Sequence, residues 1–204
     1  MNLQLPHLIF LAGLTLYIAL RAFYQIRAAK QRKAIRKTSL GDWLLVVLIV
    51  VGQVFLPLVL LFTTWINFAN STLPPVCMWC GATIMIAGLW LFWRSHADLG
   101  QQWSVTLELN SDHKLITRGV YHSIRHPMYA SFFLLAISQG LLLNNWLAGW
   151  SALAATSLLY VVRRPHEEQM MLDGFGQEYE TYRQRTGGII PRWHAPRPDS
   201  SSSG

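Results

Sequence analysis

The sequence predicts an all-α integral membrane protein of about five transmembrane helices, and three observations lead there. Of the 204 residues, 52% are hydrophobic and only 13% charged, whereas a soluble domain carries about a quarter charged residues. Long runs without Asp, Glu, Lys or Arg cover 43–69, 76–93 and 128–162, each long enough for at least one helical crossing. All 17 Lys and Arg lie in three segments, 21–37, 94–125 and 163–197.

The first expected span is 3–24, uncharged to Leu20 apart from the titratable His7. It reads as a span rather than a cleaved signal, because Met1 to His7 contains no Lys or Arg. The second and third are 43–69 and 76–93. The run from Met128 to Val162, built as one helix, would extend roughly 50 Å against a hydrocarbon core of about 30 Å. It should therefore fold back at Asn144-Asn145, giving spans 128–143 and 146–162. No internal repeat or separable soluble domain interrupts this, so 1–199 reads as one membrane-embedded domain with cytosolic segments 94–127 and 163–193. Ser200 to Gly204 reads as a tail outside it.

Short loops rich in Lys and Arg stay cytosolic. The connections at 70–75 and 144–145 have no charge at all, so the amino terminus should face outward and the carboxyl terminus the cytosol. The net charge of +7 does not signal nucleic acid, since the basic residues border apolar spans instead of lining a soluble face with stacking aromatics. The basic loop from Arg27 to Lys37 is explained by topology and attraction to anionic headgroups. Cys77 and Cys80 lack both the strand-helix context of a redox motif and further ligands for zinc, and read as small apolar residues.

Two polar segments carry the candidate chemistry. In 94–127, residues 103–116 have the alternation and turn residues of a small hairpin. Pro127 disfavours helix at His126, so the fourth span should begin there with Pro127 in its first turn. Arg125 and His126 then stand at a helix amino terminus, a setting that favours an anion. That anion is either a ligand group or a lipid phosphate. In 163–191, a helix continuing from the fifth span would pair Arg163 with Glu167 and Arg164 with Glu168, four apart, while Pro165 would kink it or start a new turn. Phe175, Tyr179 and Tyr182 recur at helical spacing as a packing stripe.

Gly119-Val120-Tyr121 followed by Arg125-His126-Pro127-Met128-Tyr129 resembles the signature of the isoprenylcysteine carboxyl methyltransferase family and its phospholipid N-methyltransferase relatives. Glu167-Glu168, Phe175-Gly176, Tyr179, Tyr182, Arg185-Thr186 and Ile190-Pro191 resemble the same family's carboxyl-terminal element. Together they cover roughly 112–191, the earlier spans matching only in hydropathy. The resemblance implies a prokaryotic-type membrane enzyme that binds S-adenosylmethionine in a cytosolic region formed by the 94–127 loop and the carboxyl-terminal helical segment. It further implies that His113, Leu115, Gly119, Val120, Tyr121, His126 and Tyr129 border the cofactor, with Glu168 closing over it. Arg125, at the same helix mouth, joins the cofactor-binding set, and Arg163 and Glu167 face the reacting group as the catalytic pair.

The implied reaction is transfer of a methyl group to a lipophilic acceptor. An acceptor carboxylate would need no base and could be oriented by Arg163; a thiol, amine or hydroxyl would call on Glu167 or His126. The charge asymmetry points to a bacterial inner membrane, where a hydrophobic small molecule or phospholipid is the expected substrate class. Two other functions compete. One is an NADPH-dependent reductase of the sterol reductase type, for which adjacent glutamates suit a 2′-phosphate poorly. The other is a scaffold or transporter, which would place polar residues at mid-bilayer, where Gln53 and Gln139 are about the only candidates.

Overall fold

The computed structural model describes residues 4–29, 40–100 and 115–192. They form α1 (Leu5–Ala29), α2 (Leu40–Val50), a π-helical segment (Val51–Phe55), α3 (Leu56–Phe62), α4 (Pro75–Leu99), α5 (Pro127–Leu142) and α6 (Trp146–Arg185). The all-α expectation holds: the described residues contain no strand beyond the isolated bridges Asn70 to Asn145 and Ile124 to Gly187. By length and composition, Leu5–Arg27, Trp43–Phe62 and Pro75–Leu99 can cross a membrane, and Pro127–Leu142 is a shorter apolar helix.

Helix ends fall where local chemistry puts them. Pro127 occupies the first turn of α5, where its missing N–H costs nothing. Asn145 caps α6, its side chain accepting from the Ala148 amide at 2.9 Å. The Asn145 amide group donates to Ile66 O and Asn70 Oδ1, both at 2.9 Å, so one side chain sets the α5–α6 turn and ties it to the 63–74 connection.

Three expectations are corrected. The run 43–69 is not helical throughout: helix ends at Phe62, where Thr63 turns extended with its hydroxyl on Val59 O at 2.7 Å, leaving only a short 3₁₀ turn at Asn67–Ala69. Residues 94–99, placed in a loop, extend α4 by more than a turn. The helix runs on through Pro165 without restarting; the break in its backbone angles comes at Gly176, with φ +52° and ψ −125°. The proposed hairpin at 103–116 falls almost wholly outside the described residues.

The π segment leaves one carbonyl without a partner inside the helix. Its hydrogen bonds run from residue i to i+5, and the partner that Gly52 O would take is Pro57, which has no N–H. The freed carbonyl is received instead by Gln139 Nε2 at 2.8 Å and Ser151 Oγ at 3.0 Å, which fastens the second helical rod to α5 and α6. Gln53 and Gln139 are both buried here.

The main core gathers Phe10, Leu14 and Tyr17 of α1, Met85, Leu89 and Phe92 of α4, and Leu135 and Leu142 of α5. A second cluster of Leu45, Tyr129 and Leu159 lies beneath the polar segments. Large apolar side chains, among them Trp43, Phe55, Trp79, Ile86 and Trp90, remain exposed around the bundle, as lipid contact requires.

Candidate functional site

The polar segments meet where α5 begins and the apolar stretch of α6 ends. Residues 123–126 run beside 186–188, with the Arg125 amide donating to Gly187 O at 2.8 Å and the His126 amide to Gly188 O at 3.0 Å. Arg125 reaches further into the chain end, its Nη1 donating to the carbonyls of Arg183 and Thr186. The carboxyl-terminal element is thereby bound to the α5 entrance.

The anion expected at this helix mouth is supplied by the chain itself. The carboxylate of Glu168 accepts from His126 Nε2, Arg125 Nη2 and Arg164 Nε, each at 3.1 Å. Because a carboxylate only accepts, the proton lies on His126 Nε2. That hydrogen bond, reinforced by Arg164 and Arg125, holds the Glu168 carboxyl well below the usual range although burial pushes the other way.

His126 Nδ1 faces the neighbouring carboxylate, 3.8 Å from Glu167 Oε2. The imidazole therefore sits between two glutamates that follow one another on α6. Glu167 also accepts from Tyr129 Oη at 2.6 Å and lies 3.7 Å from Arg163 Nε. Arg163 Nε and Arg125 Nε are buried without a hydrogen-bond partner among the described residues. Both expected pairs four apart, Arg163 with Glu167 and Arg164 with Glu168, are formed.

Gly119, Val120 and Tyr121 form a 3₁₀ turn, Gly119–His122. Tyr182 Oη donates to Tyr121 O at 2.5 Å, and Val120 N donates to Asp98 Oδ2 at 2.9 Å. Burial raises the phenols of Tyr121 and Tyr182, and raises Tyr179 to about 12, so all three stay neutral. The Ile124 amide donates to Val120 O at 3.1 Å, which joins this turn to the Arg125-His126 entrance.

Of the predicted residues, Gly119, Val120, Tyr121, Arg125, His126, Tyr129, Arg163, Glu167 and Glu168 thus gather at one end of the bundle. Leu115 is half-buried in the approach to the turn, and His113 lies outside the described residues. Sequence reasoning missed Asp98 and Tyr160. Asp98 gave a signal in its spacing from Arg94, which it meets at 3.0 Å. Tyr160, whose ring lies 5.3 Å from Tyr129 and 6.2 Å from His126, was one more aromatic in an apolar run.

Residues 80–173 match the model of the Isoprenylcysteine carboxyl methyltransferase (ICMT) family. A Tribolium castaneum protein named protein-S-isoprenylcysteine O-methyltransferase is 39% identical over 87 residues, 43% of this chain and 31% of that protein. The protein of the same name from Schizosaccharomyces pombe is 32% identical over 106 residues, 51% of this chain and 45% of that one. The structure of the eukaryotic intramembrane Ras methyltransferase ICMT superposes with a TM-score of 0.53 and 28% identity, covering 77% of this chain and 54% of that chain. The chain thus spans about a third to a half of the length of these relatives. The resemblance read from the two motifs is borne out, as is the membrane helical fold, and the reductase reading is not favoured. The prokaryotic type is not borne out, these relatives being eukaryotic.

Proposed function

We propose that this chain is an S-adenosylmethionine-dependent methyltransferase acting on a lipophilic substrate at the cytosolic face of a membrane. The observation that carries the reading is the seating of His126 between Glu167 and Glu168, which brings two motifs separated by the α5–α6 hairpin into one site. The membrane arrangement that goes with it has five spans, the last two being α5 and the first part of α6. The amino terminus is outside and both polar segments are cytosolic, in a single domain over 1–199. Its support is the one-sided distribution of all 17 basic residues.

The residues present suit such a cofactor. A sulfonium is met by aromatic faces and a nearby carboxylate, and Tyr121, Tyr129 and Glu167 offer both. The Gly119 to Tyr121 backbone borders the same space, and Leu115 and His113 extend that border in this reading. Bound S-adenosylmethionine supplies an electrophilic methyl group for in-line displacement by the acceptor.

The protein's part is alignment and exclusion of water. Arg163, braced by Glu167 and with no hydrogen bond at Nε, can hold one oxygen of an acceptor carboxylate, which needs no base. The relatives' printed names, O-methyltransferases of S-isoprenylcysteine in proteins, favour such an oxygen acceptor carried on a lipid chain. For a thiol, amine or hydroxyl, Glu167 is the better base, because both His126 nitrogens already face carboxylates. Glu168, committed to three donors, closes the site by joining α6 to the α5 entrance.

Equilibrium binding of labelled S-adenosylmethionine and of NADPH to detergent-purified protein tests the reading. Saturable binding of the first and none of the second is expected, with Arg163→Ala retaining that binding while losing most methyl transfer. Binding of NADPH alone would sink it.

A further inference from the structure

We infer that Asp98, on the last turn of α4, is a positioning residue that fixes the Gly119–His122 turn against the cofactor. Its Oδ2 accepts from the Val120 amide at 2.9 Å, and its Oδ1 is anchored by Arg94 Nη2 at 3.0 Å. The Asp98 side chain is 10% exposed while that of Arg94 is 41% exposed, so the carboxylate is the sheltered member and Arg94 its outer brace. Gly119 has φ +61°, and a Cβ there would stand 2.1 Å from Oδ2; the turn can come this close only because the residue is glycine. On the opposite flank Tyr182 donates to Tyr121 O. The turn is therefore gripped from two sides, by α4 through an amide and by the end of α6 through a carbonyl. A charge-assisted bond to a backbone N–H is among the stronger ones available, and no other described side chain accepts from the Val120 amide. Asp98 does not need to touch the cofactor: it sets the backbone and the Tyr121 ring that do.

The inference rests on the methyltransferase reading, and the test separates the two. In Asp98→Ala, the KM for S-adenosylmethionine should rise about tenfold, the loss of one such bond, while kcat at saturating cofactor stays within about threefold. Asp98→Asn keeps an acceptor and the side-chain volume but loses the charge, and should recover most of the defect, to about threefold. Deuterium exchange of the 118–122 amides in the cofactor-free protein should speed up about tenfold in Asp98→Ala, an effect independent of catalysis. If wild-type protein binds S-adenosylmethionine and Asp98→Ala matches it in KM and exchange, the inference is overturned. It is also overturned if kcat falls while KM and exchange hold. If wild-type protein does not bind the cofactor, the methyltransferase reading fails, and exchange alone decides whether Asp98 grips the turn. Should Asp98→Ala not fold, Asp98→Asn carries the comparison, and wild-type KM and exchange in that variant would end the proposal.

Discussion

Glu168 shows how a single ionised group can govern the site. Its side chain is 12% exposed and meets Arg125, whose side chain is 8% exposed; removing one partner of such a buried pair typically costs about 3–5 kcal/mol. Glu168→Gln should therefore unfold more easily at pH 7 and bind S-adenosylmethionine at least an order of magnitude more weakly, as seen in thermal unfolding and equilibrium binding. The pH dependence has a definite sign. A carboxyl whose folded pKa is depressed stabilises the fold above its ordinary value of 4.5 and loses that contribution as pH falls below it. Melting temperature should be nearly level from pH 7 to 5 and drop below 4.5, with the drop reduced in Glu168→Gln; equal drops would place the acid lability elsewhere. Sequence spacing alone revealed the pairs of Glu168 with Arg164 and Glu167 with Arg163. The bonds from Arg125 and His126 were hidden because they cross from α5 to α6, a distance no periodicity encodes.

Among the helices, α6 combines a long first part, Trp146 to Phe175, with a short carboxyl-terminal arm, and Gly176 divides them. At φ +52° and ψ −125° the backbone is in a region that side chains with a Cβ avoid at a cost of about 1–3 kcal/mol. A Cβ added there meets nothing within 4 Å, so the penalty is purely conformational. Gly176→Ala should favour a straight helix, pull Tyr182 from Tyr121 O, and weaken cofactor binding several-fold with little change in the apolar core. A helical content and affinity equal to wild type would show that the break tolerates a side chain. Pro127 and Asn145 are strong local signals for where α5 and α6 begin. The sequence placed the end of the 43–69 helix and the break in α6 poorly. Thr63 is an ordinary apolar-run residue until its hydroxyl turns back on Val59, and Pro165 is the louder helix breaker although Gly176 is the one used.

For the whole molecule the asymmetry of charge is the dominant fact. The Asn70, Ser71, Asn144 and Asn145 end is held by carboxamides and backbone, Ser71 N donating to Asn144 O at 2.8 Å, whereas the opposite end holds the ion pairs at Asp98, Glu167 and Glu168. In cells carrying a variant with Cys77 and Cys80 replaced by Ala, a cysteine placed at Ser71 should react with an impermeant maleimide, and one at Gln177 only after permeabilisation. The reverse pattern would invert the bundle and move the site to the outer face. Hydropathy made the helical class and this polarity legible from residue types. How the rods pack was not legible, because it depends on bonds such as that of Gln139 to Gly52 O.

The π segment at Val51–Phe55 makes the second rod sensitive to length rather than to composition. Such a segment holds one surplus residue relative to α-helical pitch and absorbs it locally, so deleting one residue within it would restore regular winding with little change of phase, whereas deleting Val50 just before it would rotate everything earlier by about 100°. In the second case Leu45 and Ile49 would swing off Tyr129 and Leu159, which they cover, while Gly52 O would keep its bond to Gln139. A one-residue deletion is thus expected to be tolerated inside the π segment and damaging in the α-helical turns that flank it, where the rod should accept exchange among apolar side chains far better than a change in count.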